Sequence, residues 1–185
     1  DRLENGPVTE IVYIHSKCMI IDDDKAIIGS ANINDRSQLG RNDSEIAMIV
    51  KDKNKVRTVI KGMPRYVASS AHKFRMKIFK EHSGIEDEEY LRDPLSPEFN
   101  QIWKTRAKEN TEFYRHVFRT YPDDEIQSIR DKQDFETQAK LEDYDLLAGD
   151  IKGNLVEFPL HFLRNEDLRI SIFNKEYYIP EENFV

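Results

Sequence analysis

Two runs rich in β-branched and aromatic residues, at positions 11–21 and 25–28, flank three consecutive aspartates, Asp22-Asp23-Asp24. Few patterns constrain a chain more. β-Branched side chains suit a pleated, half-buried surface, and a triplet of short acidic side chains supplies the turn between two strands. A β-hairpin is therefore expected. Side chains alternate along a strand, so His15, Lys17, Met19 and Ile21 share one face while Ser16, Cys18 and Ile20 share the other. An imidazole and an ammonium then project side by side. Cys18 faces away from His15 and reads as a small core residue. Residues 29–37 are too polar and too rich in small residues for a third strand, and residues 44–50 restore strand character. The expected order over residues 1–50 is strand, strand, polar loop or short helix, strand.

Residues 51–185 read as a helical region followed by a tail. From Pro64, apolar residues recur at Val67, Ala71, Phe74 and Ile78, a helical period that stops near Gly84. Lys73, Lys77 and Lys80 lie along one side of that helix. An acidic connector at 86–89 precedes Ser96-Pro97, a capping residue with proline at the first helical position. Phe99, Ile102, Trp103, Ala107, Tyr114, Val117, Phe118 and Tyr121 keep helical spacing up to Pro122 and are expected in the core. Residues 123–150 are charged and weakly periodic, which suggests a short helix and a surface loop. Residues 155–163 read as a last strand or extended segment, with Pro159 favouring an edge. The tail with Tyr177, Tyr178 and Pro180 is expected to lie across the body. There is no internal repeat and no low-complexity segment.

The 185 residues suffice for one compact domain with a substantial core. The 35 acidic side chains outnumber the 28 basic ones, giving a net charge of -7, which argues against a domain that grips nucleic acid by bulk attraction. Any polyanion would need a local basic patch. The single cysteine, Cys18, makes neither an internal disulfide nor a thiolate metal site, and a reducing, cytosolic setting is the default. No apolar run approaches the ~20 residues that span a bilayer, so a lipid would be met from the water side. The chain opens at Asp1 with chemistry almost at once, and is expected to be cut from a longer polypeptide.

Phosphodiester cleavage needs a group that attacks or protonates near neutral pH and a fixed positive charge for the non-bridging oxygens. His15 and Lys17 are such a pair. Gly29-Ser30-Ala31-Asn32 can bring a hydroxyl, a carboxamide and backbone N–H groups to the same phosphate without bulk. Each residue also has a plainer reading. A lone histidine on a strand can be structural, Asp22 can be one turn residue among three aspartates, and Glu45 can be a strand-edge charge. His72, His82, His116 and His161 have no partner at metal or triad spacing and read as surface or packing residues. The lysine stripe can be a solvated helix face.

For His15 the spacing decides between these readings. His15-Ser16-Lys17, four residues, Asp22, six residues, then Gly29-Ser30-Ala31-Asn32-Ile33-Asn34-Asp35-Arg36-Ser37, continuing to Gly40, Asp43, Ser44 and Glu45, resembles the second active-site motif of the phospholipase D superfamily. It looks most like the eukaryotic phosphatidylcholine-hydrolysing enzymes. Gln101-Ile102-Trp103, the segment from Tyr114 to Arg119, Pro122-Asp123-Asp124-Glu125 and the segment from Gly153 to Pro159 continue the likeness in the expected order, whereas residues 134–150 and the ending Asn183-Phe184-Val185 match little.

The resemblance implies an α/β class chain with the phospholipase D fold, a mixed β-sheet layered with helices. The chain would be the C-terminal half of a two-half enzyme, packing against an N-terminal half that carries the first motif. The active site would lie at their junction, and the isolated piece would show an exposed face. The implied reaction needs no metal: one histidine forms a phosphohistidine while the other protonates the departing alcohol and then activates water. By analogy His15 is the general acid and base, and Lys17 and Asn32 hold phosphate oxygens, with Ser30 a further candidate. Asp22, of opposite strand parity, orders the turn, and Glu45 orients a catalytic histidine. The whole enzyme would convert phosphatidylcholine and water, or a primary alcohol, to phosphatidic acid or its ester and choline, while this chain alone would be inactive. Also implied are no required cofactor, a polyphosphoinositide activator, contact of Lys73, Lys77 and Lys80 with anionic headgroups, small GTPase regulators and a cytoplasmic, peripheral place on a phospholipid membrane surface, without nucleic acid. The competing readings are a superfamily nuclease or phosphodiesterase built from two chains, and a non-catalytic regulatory fragment.

Overall fold

The computed structural model describes residues 14–135 and 151–169, together with the two-residue strands β1 (Arg2–Leu3) and β2 (Gly6–Pro7), which pair antiparallel. Residues 11–13 of the expected first strand, and the tail with Tyr177, Tyr178 and Pro180, lie outside the described residues.

The hairpin is present as β3 (Lys17–Ile21) and β4 (Lys25–Gly29), and β5 (Ala47–Lys51) adds to β4 in an antiparallel sheet of order β3-β4-β5. The Asp24 amide donates to the Ile21 carbonyl at 2.8 Å, and Asp22 and Asp23 have φ of 51° and 52°. Positive φ at both central residues is the mark of a type I′ turn, whose twist matches that of the strands, and aspartate enters this region at less cost than a β-branched residue. The polar segment after β4 contains one helical turn, α1 (Asp35–Gln38), capped by the Asn34 side chain accepting from Ser37 N–H.

A second hairpin, β6 (Lys55–Ile60) and β7 (Met63–Ala68), closes through Lys61 and Gly62, again with positive φ. This corrects the expectation of a helix starting at Pro64. Pro64 pairs with Val59 in β7, and Val67 is buried by strand alternation beside exposed Tyr66. The helix α2 (Ser69–Ser83) begins only afterwards. Its N-cap, Ala68, has no side-chain acceptor, and Asp52 takes over that task by accepting from Ser70 N–H at 3.2 Å.

The main apolar cluster lies among α2, α3 (Glu88–Arg92) and α4 (Pro97–Phe118): buried Ile85, Leu91 and Phe99 with Met76, Phe79, Ile102 and Trp103 around them. Phe79 stacks on Phe99 with ring centres 5.5 Å apart, and Trp103 lies 5.1 Å from Phe79. Ser96 caps α4 by accepting from Phe99 N–H at 3.0 Å, with Pro97 at the first position, as the sequence predicts. A short α5 (Ile129–Asp134) follows.

Residues 155–163 do not form the expected strand. Their backbone bonds go to side chains and turns instead: buried Asn110 donates to the carbonyls of Lys152 and Leu155, and Thr111 Oγ1 accepts from Glu157 N–H at 2.8 Å. Gly84 ends α2 in the left-handed region and lies so close to Gly153 that a Cβ there would come within 2.7 Å of the Gly153 nitrogen. This contact fixes the returning loop.

The β3–β4 turn is tied to α2 by a buried network. The Asp23 carboxylate, 5% exposed, receives Arg75 Nη2–H at 2.7 Å and lies 2.8 Å from His72 Nδ1, while Arg75 also donates to the Leu91 and Arg92 carbonyls. The opposite face of the sheet, with Met19, Ile21 and Ile49, stands open, as expected of the isolated chain. Cys18 departs from expectation: it is exposed, in a register row with exposed Ile28 and Met48, because packing covers its face only toward Ala26. No helix among the described residues is long and apolar enough to cross a membrane.

Candidate active site

β3 delivers Lys17 and the segment just before it delivers His15. The Lys17 ammonium lies 3.0 Å from His15 Nε2 and 3.1 Å from Nδ1, and donates to the His15 carbonyl at 2.7 Å. Imidazole and ammonium therefore meet, although His15 precedes β3 rather than lying within it. They border a groove of about 440 Å³ lined also by Ile28, Gly29, Ser30, Ile46, Ala47 and Met48.

Gly29 is fixed by sterics. A Cβ at this position would fall 2.5 Å from the Ile46 carbonyl oxygen and 2.8 Å from the Ala47 Cα, so only glycine lets β4 and β5 close at the groove. Ser30 follows, its N–H donating to the Ile46 carbonyl at 2.9 Å and its Oγ accepting from Ile46 N–H at 3.0 Å. The Ser30 hydroxyl proton goes to the Glu45 carboxylate. A hydroxyl has one proton, so the proton that could serve a phosphate is already engaged. Ser30 thus positions Glu45.

Glu45 is held below the usual carboxylate range by hydrogen bonds from Ser30 and Ser37, with the charges of Lys17 and Arg36 adding to the effect. It is a stable anion close to Lys17. Asn32 is exposed, and its carboxamide has no hydrogen-bond partner among the described residues, while its backbone is gripped: N–H to Ser37 Oγ at 3.1 Å and carbonyl to Gln38 Nε2 at 2.8 Å. Arg36 and Asp43, 2.6 Å apart, brace the loop that leads to Glu45.

Of the residues singled out in the sequence, His15, Lys17, Ser30 and Glu45 gather at one end of the sheet, with Asn32 on the adjoining loop. Asp22 stands apart. It is exposed at the far end of β3, about five residues or roughly 16 Å from Lys17 at the strand rise. Its neighbour Asp23 does the anchoring. Sequence reasoning missed Asp23, His72 and Arg75 because the partners lie about fifty positions apart. Lys73 and Lys77 border a separate groove of about 510 Å³ between α2 and α3, and Lys80 is paired with Glu86 at 2.9 Å. Among the described residues no three His, Cys, Asp or Glu side chains converge to hold a metal ion.

These features lie on an α/β scaffold. A family model described as Phospholipase D matches residues 8–126. Phospholipase D1 of Mus musculus is 41% identical over 189 residues, covering 98% of this chain and 18% of that protein. Phospholipase D zeta 1 of Arabidopsis thaliana is 38% identical and Phospholipase D2 of Bos taurus 37% identical, each over 98% of this chain and 19% and 20% of their own lengths. The chain belongs to the phospholipase D family. It spans about a fifth of the length of these relatives.

Proposed function

We propose that this chain supplies one half of the catalytic centre of a phospholipase D that hydrolyses phosphatidylcholine to phosphatidic acid and choline, and transfers the phosphatidyl group to primary alcohols. The observation that carries this reading is the meeting of His15 and Lys17 at a groove whose floor requires Gly29, with the Glu45 anion beside them. The second histidine comes from another motif of the same kind. One imidazole nitrogen attacks phosphorus as the P–O bond to choline breaks, and the other histidine gives the leaving oxygen its proton. Water then attacks phosphorus, passing a proton to that histidine while the P–N bond breaks. His15 is placed in the acid and base role by analogy with the family. Lys17 and the Asn32 carboxamide neutralise the non-bridging oxygens as charge grows there. Asp22 orders the turn and has no part in the chemistry. The open face of Met19, Ile21 and Ile49 suits coverage by the complementary half.

The same reading carries the regulatory expectations of the family. The protein works at the water side of a phospholipid membrane as a peripheral, cytoplasmic enzyme, needs no cofactor, and answers to polyphosphoinositide and to small GTPases. Lys73 and Lys77 are the better headgroup contacts, since Lys80 is engaged with Glu86. Residues near such a surface contribute about 1 kcal/mol each. The test is to incubate the complete natural polypeptide with labelled phosphatidylcholine and ethanol. Phosphatidylethanol supports the proposal. Cleavage of DNA with no lipid product would replace it with the nuclease reading, and no activity on either would favour a regulatory fragment.

A further inference from the structure

We propose that the groove between α2 and α3 is a second anion site, built on His72 and taking a phosphate monoester headgroup of the kind that hydrolysis of a phospholipid diester releases. The choice of ligand rests on the functional reading above, whereas the site rests on the groove itself. His72 is half-buried, with its Nδ1 2.8 Å from the Asp23 carboxylate, which is 5% exposed. An ionised carboxylate can only accept, so Nδ1 carries a proton and donates it inward. Arg75 Nη2 lies 3.3 Å from the same nitrogen but gives its proton to Asp23, at 2.7 Å. The other ring nitrogen, Nε2, has no hydrogen-bond partner among the described residues, and His72 borders a groove of about 510 Å³. A buried carboxylate that fixes one ring nitrogen leaves the other oriented for a ligand.

Lys73 and Lys77 stand one helical turn apart on α2 at the same groove, both exposed and without an ion-pair partner among the described residues. The other cations there are engaged. Lys80 pairs with Glu86 at 2.9 Å and Arg92 with Glu89 at 3.0 Å, while Glu88 lines the groove with no ion pair among the described residues. Three donors therefore stand open: two ammonium groups and, once Nε2 is protonated, the imidazolium. A phosphate monoester presents three terminal oxygens and about two negative charges at neutral pH, whereas a diester presents two such oxygens and one charge. Glu88 repels any anion, so a single charge gains little in this groove. With Asp23 on one nitrogen and a dianion on the other, the ring sits between two anions, which favours its doubly protonated form. Product lipid bound here, on a face that carries neither His15 nor Lys17, would hold the enzyme where product gathers.

The experiment measures sedimentation of the complete natural polypeptide with phosphatidylcholine vesicles that carry phosphatidic acid, a monoester, or phosphatidylglycerol, an anionic diester, at matched surface charge. Wild type should prefer the phosphatidic acid vesicles. Lys73→Gln/Lys77→Gln should weaken that binding by roughly 5-fold per lysine. His72→Asn should weaken it by about 10-fold, because asparagine keeps an N–H where Nδ1 stands and has none at Nε2. Its urea midpoint should stay near wild type, since a donor to Asp23 remains. In both variants the preference over phosphatidylglycerol should vanish, and the lysine variant carries the test if His72→Asn fails to fold. Equal binding of the two vesicles by wild type, or an undiminished preference in the lysine variant, overturns the proposal. Excess glycerol 3-phosphate separates the sources: release of the protein assigns the site to the phosphate group wherever it is carried, and retention assigns it to the membrane-borne headgroup. The binding readout needs no turnover. If the polypeptide leaves phosphatidylcholine intact while the preference and its loss are present, the lipase reading falls and the site stands. Phosphatidylethanol formation without any such preference keeps the lipase reading and ends the site.

Discussion

Replacing Arg75 with methionine should be among the most damaging single changes in the chain outside the site. The guanidinium donates to both oxygens of Asp23, at 3.0 and 2.7 Å, and to the Leu91 and Arg92 carbonyls, and its central carbon lies over the Phe79 ring, 5.3 Å from the centre. Methionine keeps much of the stem but leaves the Asp23 carboxylate, 5% exposed, with His72 as its remaining side-chain partner. Removing one member of a buried ion pair costs about 3–5 kcal/mol, a large part of the ~5–15 kcal/mol that holds an ordinary domain together. Urea unfolding of the chain, followed by fluorescence of its single tryptophan, Trp103, reads this directly, since Trp103 of α4 packs on Phe79 of α2, the helix that carries Arg75. The double variant Asp23→Asn/Arg75→Met should cost less than the sum of its parts, because it leaves no unpaired buried charge. Burial pushes the Asp23 carboxyl up, but the hydrogen bonds and charges of Arg75 and His72 more than offset this and hold it below its ordinary value. Its stabilising effect is therefore complete above about pH 4 and is lost as pH falls through the lowered value. Arg75→Met should flatten that acid dependence. A loss under about 1 kcal/mol, or an acid limb unchanged in the variant, would refute the view that this pair ties the hairpin to α2.

Gly29→Ala should destabilise the chain by about 1–3 kcal/mol, measured by thermal melting, because the added methyl meets the Ile46 carbonyl and Ala47 backbone rather than open space; an unchanged melting temperature would show that β4 and β5 can part freely. Ser96→Ala should cost about 1 kcal/mol through the lost α4 cap, and urea denaturation checks it. Cys18 should be alkylated by a maleimide in the native chain, since it is exposed, but slowly at neutral pH and faster in alkali, because partial burial pushes its thiol pKa up. Complete protection of Cys18 in the folded chain would contradict its exposed place in the row with Ile28 and Met48.

The legible parts of the sequence were those where one local rule decides. Three aspartates made the turn, and Ser96-Pro97 opened α4 at the expected position. The stretch from Pro64 was misread because Val67, Ala71, Phe74 and Ile78 share a helical period although Val67 belongs to β7, with the chain changing from strand to helix at Ser69. Residues 155–163 look like a strand, yet Asn110 and Thr111 of α4 satisfy backbone groups that a strand would pair with a neighbour. At the turn, the motif residue Asp22 drew attention while its neighbour Asp23 carries the buried contacts, a difference set by α2 fifty residues later. Cys18 was assigned to a core on strand parity alone, which cannot tell whether a face is covered. The bond from the Ser30 hydroxyl to Glu45 depends on a loop returning to β5, and composition holds no trace of it.

The most direct test of the site is His15→Ala in the complete natural polypeptide, scored by release of phosphatidylethanol from phosphatidylcholine and ethanol. His15 is exposed, so the substitution should change stability by less than about 0.5 kcal/mol. Turnover should fall by at least about 100-fold, the loss that accompanies removal of a general acid and base. Turnover within a few-fold of wild type, with the protein folded, would contradict the assignment of His15 to the catalytic centre.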